Sequence, residues 1–296
     1  MDIEPNIPEA PQPDASTWSQ DSRFKFIDYR LRWEGKLRRT DLTDFFSISL
    51  PQASADLAKY DRAAPENLKY DLSQKCYIRG PEFKATYARS SPQMYLSELV
   101  ALSTGVLERS ATFLGWTPPV GIAPAPVRSF DADVLTTLLS AIKEQLSTVI
   151  EYQSMESVLP SSLEVSPTAL AYDGARWHVR AYCHYESRFR DFVLGRVLNA
   201  RAKDKTPWTA EQDSAWNTLV LLQIAPNPAL TEAGRKAAEL EFGMLEGLLR
   251  IEVRQALLFH TLRRMRLEAT DAGKASQPNR LVLVNREEIE LYMQNS

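Results

Sequence analysis

The stretch from Arg176 to Arg196 alternates apolar and polar residues with a period of two, a spacing that fits a β-strand and not a helix. Read as a strand, Trp177, Val179, Ala181 and Cys183 point one way, and His178, Arg180, Tyr182 and His184 point the other. A turn follows, then a second segment in which Arg188, Arg190 and Arg196 share parity. Such a pair of strands has one apolar face to bury and one basic, aromatic face to present. Tyr152 and Ser154 share parity on an earlier strand and add hydroxyls beside His178, Arg180 and Arg190. Arginine offers a planar fork suited to phosphate, and tyrosine or histidine can stack on a base. The candidate ligand residues are therefore Tyr152, Ser154, His178, Arg180, Tyr182, Arg188 and Arg190, and the ligand a nucleotide or oligonucleotide end. The competing reading pairs Arg180 and Arg190 with Asp191, Glu186 or Glu151 as ion pairs. Arg196 is read as a brace of the sheet or a link toward the C-terminal region.

Charge separates the N-terminal third from the rest. The net charge of −3 argues, taken alone, against nucleic acid, yet residues 21–89 hold 14 Lys/Arg against 10 Asp/Glu, while residues 1–20 hold four acids and no base. The basic segment has a helix-turn-helix layout. Phe24, Ile27 and Leu31 line one face of a first helix that ends near Gly35. Thr40 is placed to cap a second helix carrying Leu42 and Phe45. Ser49 caps a third, with Pro51 in its first turn, where a missing N–H costs nothing. Ala53, Leu57, Tyr60 and Ala64 form the buried stripe of that helix and leave Gln52, Ala55, Lys59 and Arg62 outward, with Ser54 at the margin. Such a helix can enter a major groove. Leu68–Asp71 and Lys75–Ile78 read as a hairpin wing whose Lys69 and Lys75 suit phosphate contacts. The plainer reading is a small helical domain with solvated charges.

Enzyme chemistry finds little support. No phosphate-binding Gly-rich loop, nucleophile elbow or HExxH sequence occurs. His178, Cys183 and His184 superficially suggest metal ligands, but on one strand Cys183 faces away from both histidines, so neither a metal nor a cofactor is expected. Cys76 and Cys183 are far apart and read as reduced structural thiols. No apolar run approaches the ~20 residues of a membrane helix, and the acidic, proline-rich start lacks the features of a signal peptide, so the expectation is a cytoplasmic protein without a membrane contact.

The order of residues from Trp177 to Arg196 resembles the WYL domain, whose naming tripeptide stands here as Trp177-His178-Val179. Ile150-Glu151-Tyr152-Gln153-Ser154 and Pro167-Thr168-Ala169-Leu170 complete that frame. Leu37-Arg38-Arg39-Thr40-Asp41-Leu42, Phe46-Ser47-Ile48-Ser49, Gln52-Ala53-Ser54-Ala55-Asp56-Leu57, Leu68-Lys69-Tyr70-Asp71 and Lys75-x-Tyr77 resemble the winged helix of the CapW and BrxR regulators, WYL-containing repressors of bacterial anti-phage operons. The likeness continues through Pro226-Asn227-Pro228-Ala229-Leu230, Gly243-Met244-Leu245-Glu246-Gly247 and Val253–Leu258, and so spans roughly residues 21–296.

The resemblance implies an α+β multidomain chain: an N-terminal winged helix-turn-helix, a central WYL domain built as an Sm/SH3-like small β-barrel, and a C-terminal α/β dimerisation domain. The expected divisions are a disordered 1–20 (with Pro5, Pro8, Pro11 and Pro13), a DNA-binding 21–90, a helical and Pro-rich linker 91–128, a ligand-sensing 129–205 and a dimerising 206–296. Asp131 is placed to cap a helix whose stripe is Leu135, Leu138, Leu139, Ile142 and Leu146. A later helix over Gln255–Leu267 carries Leu257, Leu258, Thr261, Leu262 and Met265. The implied function is a homodimeric repressor of a phage-defence operon, bound to an inverted-repeat operator in double-stranded DNA and derepressed by a nucleotide or nucleic-acid ligand. Arg39, Ser49, Gln52, Ser54, Lys59, Arg62, Lys69, Lys75 and Tyr77 are the expected DNA contacts. The other reading is a WYL-type sensor or adaptor that binds single-stranded nucleic acid for a defence enzyme without repressing transcription.

Overall fold

Phe24, Ile27 and Leu31 recur at helical spacing and are buried along one side of α1 (Ala15–Glu34) in the computed structural model, which describes residues 15–88, 91–126, 128–268 and 279–294. The helix begins inside the stretch 1–20 expected to lack structure; Pro5, Pro8, Pro11 and Pro13 lie outside the described residues. Gly35 ends it at φ +73°, a left-handed conformation that glycine adopts without steric cost. The chain forms two units, Met1–Ala125 and Pro126–Ser296.

In the first unit, β1 (Lys36–Leu37) leads into α2 (Arg39–Phe46) and α3 (Leu50–Ala63). The α2 cap sits two residues earlier than Thr40: the Arg38 amide donates to the Asp41 carboxylate at 2.6 Å, and Thr40 falls within the helix. Ser49 caps α3 as expected, its hydroxyl accepting from the Gln52 amide. Ala53, Leu57, Tyr60 and Ala64 are buried, and with Phe26, Leu37, Leu42 and Leu68 they form the core of this unit. The wing is the hairpin of β2 (Leu68–Asp71) and β3 (Cys76–Arg79), in a three-stranded antiparallel sheet of order β1-β3-β2. Asp71 closes its turn by accepting from the Ser73 and Gln74 amides.

Asp28 is fully buried on α1, yet it is the hub of the unit. Its carboxylate accepts from the Tyr60 hydroxyl of α3 and from the amides of Thr86 (2.7 Å), Tyr87 and Ala88 (2.9 Å). Burial, then the Asp28 hydrogen bond, push the Tyr60 phenol well above its ordinary range. After α4 (Pro92–Ser103), residues 116–126 carry no regular structure, as their four prolines imply.

The second unit opens with α5 (Ala132–Glu144), which Asp131 caps through the amides of Asp133 and Val134. Its buried residues are Val134, Leu138 and Ala141; Leu139, expected on that stripe, is 46% exposed because the helix rolls one position toward Val134. The strands β4 (Leu146–Tyr152), β5 (Ser161–Tyr172), β6 (Trp177–Cys183), β7 (Arg188–Val193) and β8 (Val197–Lys205) follow. They make one antiparallel sheet of order β7-β6-β5-β4-β8, in which the end strands β7 and β8 are not paired with each other. Val165, Val179, Ala181, Cys183 and Phe192 pack with α5 on the apolar side.

A short α6 (Ser214–Asn217) precedes β9 (Leu219–Pro226), α7 (Glu232–Phe242), β10 (Leu249–Arg254), α8 (Leu258–Arg264), β11 (Leu281–Leu283) and α9 (Arg286–Gln294). The sheet order is β10-β9-β11, all antiparallel. The helix expected over 255–267 starts as a 3-10 turn at Gln255–Leu257, and its Leu258 and Leu262 are buried with Val220, Leu222 and Ile224 of β9. That stripe is intramolecular core.

Candidate nucleic-acid interface and ligand cavity

The α3 helix buries one stripe and leaves Ala55, Lys59 and Arg62 exposed, as its spacing requires. Gln52 and Ser54 are half-buried. Gln52 is engaged: its Nε2 donates to Asp56 at 3.0 Å, and Asp56, fully buried, is held by Arg23 at 2.6 Å. Arg39 donates to the Ser54 hydroxyl at 3.4 Å, and Lys59 to Gln20 at 3.4 Å, both at the surface. Lys69 and Lys75 are exposed on the wing; Tyr77 is half-buried, edge-on to Tyr70 with ring centres 5.0 Å apart. Exposed cations near or on α3 are Arg39, Lys59 and Arg62, and on the wing Lys69 and Lys75; Lys25, Lys36, Arg38, Arg79, Lys84 and Arg109 are exposed elsewhere in this unit.

The basic face of the central sheet is arranged differently from the sequence expectation. Strand β6 pairs with β7 in the register Arg180↔Asp191 and Ala181↔Arg190. Even-numbered residues of β6 thus lie opposite odd-numbered residues of β7, and directly opposed residues share a face. Arg188 and Arg190 fall opposite Cys183 and Ala181, on the other side from Arg180. Both pair with Glu186 at the surface. Tyr152 is also on the apolar side, edge-on to Phe192, and its hydroxyl accepts from the Val193 amide. Ser154 serves its own turn, accepting from the amides of Glu156 and Ser157.

The face that does carry His178, Arg180 and Tyr182 is covered by the chain beyond residue 206. Arg180 forms a fork with Asp213, Nε to Oδ2 at 2.7 Å and Nη2 to Oδ1 at 3.0 Å, and also reaches Asp191 at 3.3 Å. Burial opposes the charge of Arg180, but Asp213 and Asp191 outweigh it and push the guanidinium up. Asp213 simultaneously caps α6 through the Trp216 amide. Tyr182 stacks on Trp208, ring centres 3.6 Å apart and 10° from parallel, so that ring face is already occupied. His178 is buried against Asp173 (3.0 Å), with the His260 ring of α8 at 4.7 Å. Burial pushes His178 down, against the pull of Asp173. Burial would raise Asp173, but hydrogen bonds from His178, the Ala175 and Arg176 amides and the Arg176 side chain hold it well below the usual carboxylate range.

Cations and open aromatic rings meet instead at the end of the sheet, in a cavity of about 300 Å³ lined by Arg128, Phe130, Arg176, Trp177, Gly195 and Arg196 among others. Trp177 and Phe130 are each 44% exposed. Arg128 donates to the Ala175 carbonyl at 3.0 Å and Arg176 to Asp173 at 3.0 Å, which holds two of the three guanidinium groups in place. Gly195 lies close under Ser129, where a Cβ would approach that carbonyl oxygen to 2.9 Å. Sequence parity put Trp177 on the apolar face and so missed it; at the first residue of β6 its ring packs on one side against Tyr172, ring centres 4.9 Å apart, and is otherwise exposed. Arg196, read as a brace, belongs to the cavity.

Residues 19–101 match the BrxR transcriptional regulator winged helix-turn-helix domain, residues 133–202 the WYL domain, and residues 219–289 the BrxR transcriptional regulator C-terminal dimerization domain. The chain is 39% identical over 277 residues to the DNA-binding transcriptional repressor CapW of Stenotrophomonas maltophilia, covering 93% of each chain. The chain belongs to the CapW family. Two further CapW repressors, from Pseudomonas aeruginosa and Escherichia coli (strain KTE188), are 40% and 39% identical, with 94% and 92% of this chain and 93% and 91% of theirs covered. This is a family of transcriptional repressors and not of enzymes. Among the described residues no helix is long and apolar enough to cross a membrane. Within this CapW-family frame, Arg180 belongs to the WYL match, and Asp213 and Trp208 stand between it and the C-terminal match.

Proposed function

We propose that this chain is a homodimeric repressor that binds an inverted-repeat operator in double-stranded DNA through α3 and the wing, and is released by a nucleotide or nucleic-acid ligand in the Arg128–Arg176–Arg196 cavity. The observation that carries the first part is the exposed edge of α3, where Lys59 and Arg62 stand outward on a helix anchored by a fully buried stripe. Such a helix can be pressed into a groove without losing its own packing. The family supports control of a phage-defence operon from the cytoplasm. Alternate residues of β9 favour the dimer: Val220 and Leu222 are buried, while Leu219 and Leu221 are exposed at 58% and 39%, an apolar face fit for a second copy.

Lys59→Ala and Arg62→Ala each should weaken duplex binding about equally for operator and random sequence and lower the salt slope by about one, as loss of a phosphate contact does. Unchanged affinity in both variants would remove α3 from the interface. Gln52→Ala costs some stability as well, because its amide supports the Arg23–Asp56 pair.

The cavity accounts for the ligand through chemistry: guanidinium groups for phosphate, and the exposed Phe130 ring and the outer side of Trp177 for a base. A short 5′-phosphorylated single-stranded oligonucleotide serves as the probe. Arg196→Ala should weaken its binding by about tenfold or more, the usual worth of one hydrogen bond to a charged group, while leaving operator affinity in the absence of probe unchanged. Probe binding that Arg196→Ala and Arg128→Ala both leave intact would place the ligand elsewhere. Because induction is a coupling between two sites, the probe must weaken operator binding by the same factor by which operator weakens probe binding.

A further inference from the structure

Asp173, His178 and His260 each offer a ligand atom, and those atoms lie within 4.8 Å of one another. We infer that they form a site for a divalent transition-metal ion of the zinc class, joining the β5–β6 hairpin to α8. Three features make the cluster compatible with a metal ion. The Asp173 carboxylate and His178 Nε2 are 3.0 Å apart, a hydrogen-bonding separation that need widen by only about 0.3 Å to reach the roughly 3.3 Å that two ligands of one tetrahedral zinc keep at bond lengths near 2.0 Å. His178 Nδ1 is buried with no hydrogen-bond partner among the described residues, so part of this ring's polar capacity is unused inside the fold. Asp173 is already oriented, because its Oδ1 accepts from the Ala175 and Arg176 amides at 2.8 and 2.6 Å, while Oδ2 faces the cluster and also accepts from Arg176 Nε at 3.0 Å.

Two imidazoles and one carboxylate suit zinc, cobalt or nickel and are poor ligands for magnesium or calcium, which take mostly oxygen. Asp191 stands next to the cluster, 3.6 Å from His260 Nε2, as an outer partner that also contacts Arg180. The ion would tie the five-stranded sheet to α8, which carries His260, two parts of the same unit. The remaining coordination position falls to solvent, as in other sites with three protein ligands.

Zinc chloride titrated calorimetrically into the untagged, EDTA-stripped full-length chain is expected to saturate at a single ion per chain, with magnesium giving no heat. His260 is half-buried, so His260→Ala should fold; it is expected to lose zinc affinity by at least about tenfold while its melting temperature in EDTA stays at the wild-type value. Asp173→Asn keeps the turn's acceptor oxygen and should also weaken zinc. Cobalt(II) supplies a second readout, a visible absorption band in the wild type that His260→Ala lacks. No zinc binding by the wild type, or wild-type affinity and cobalt spectrum in both variants, overturns the site.

Discussion

Arg180→Ala is expected to destabilise the second unit by about 3–5 kcal/mol, the usual consequence of removing one member of a buried ion pair. The guanidinium is 9% exposed and is the cation that both Asp213 and Asp191 contact, at 2% and 13% exposure. Without it, two carboxylates face one another's neighbourhood with little water. Asp213 would keep its cap on α6, but the tie between β6 and the chain beyond residue 206 would be gone. Denaturant unfolding of the full chain, following the transition of the second unit, measures the loss. Adding Asp213→Ala should recover part of it, since the uncompensated charge leaves with the side chain. Were Arg180 instead a ligand contact, Arg180→Ala would leave unfolding unchanged and alter only the response to the probe.

Asp28→Ala should cost the first unit a similar amount, about 3–5 kcal/mol, through a different mechanism. The alanine leaves the fully buried Tyr60 hydroxyl and the part-buried amides of Thr86, Tyr87 and Ala88 without their acceptor. An unmade buried hydrogen bond costs more than a made one contributes. Asp28→Asn is the informative comparison: its carbonyl oxygen can still accept from the three amides, and its NH2 can donate to Tyr60. Asparagine should therefore retain most of the stability. Hydrogen exchange of the Thr86–Ala88 amides reads the effect locally, with fast exchange in Asp28→Ala and slow exchange in Asp28→Asn. Equal exchange in both variants would contradict the hub. Because Tyr60 lies on α3, DNA binding should fall with Asp28→Ala even though Asp28 is remote from any surface.

The winged helix was legible because its information is local. Ser49 and Pro51 mark a helix start, and the stripe Ala53, Leu57, Tyr60 and Ala64 marks its buried side; both are consequences of neighbouring residues alone. The ligand face was less legible because it depends on pairing. Parity along one strand correctly put His178, Arg180 and Tyr182 on one side. Extending that parity around the turn to Arg188 and Arg190 failed, since the register offset exchanges odd for even. The competing reading, ion pairs with Asp191 and Glu186, is what the structure contains for Arg180 and Arg190. Nor could alternation reveal what covers a face: Trp208, Asp213 and His260 arrive from distant positions, and only the fold brings them to β6. Trp177 and Arg196 were visible as residues but not as neighbours.

Binding of the purified chain to the duplex immediately upstream of its own gene, compared with a scrambled duplex and with either single strand across a salt series, separates an operator-bound repressor from a sensor of single strands. Tight, sequence-selective duplex binding with one dimer per inverted repeat, weakened by Lys59→Ala and by Arg62→Ala, is the expected result. Equal affinity for every duplex, or preference for the single strand, would contradict it and make the chain a sensor of single-stranded nucleic acid instead of a repressor.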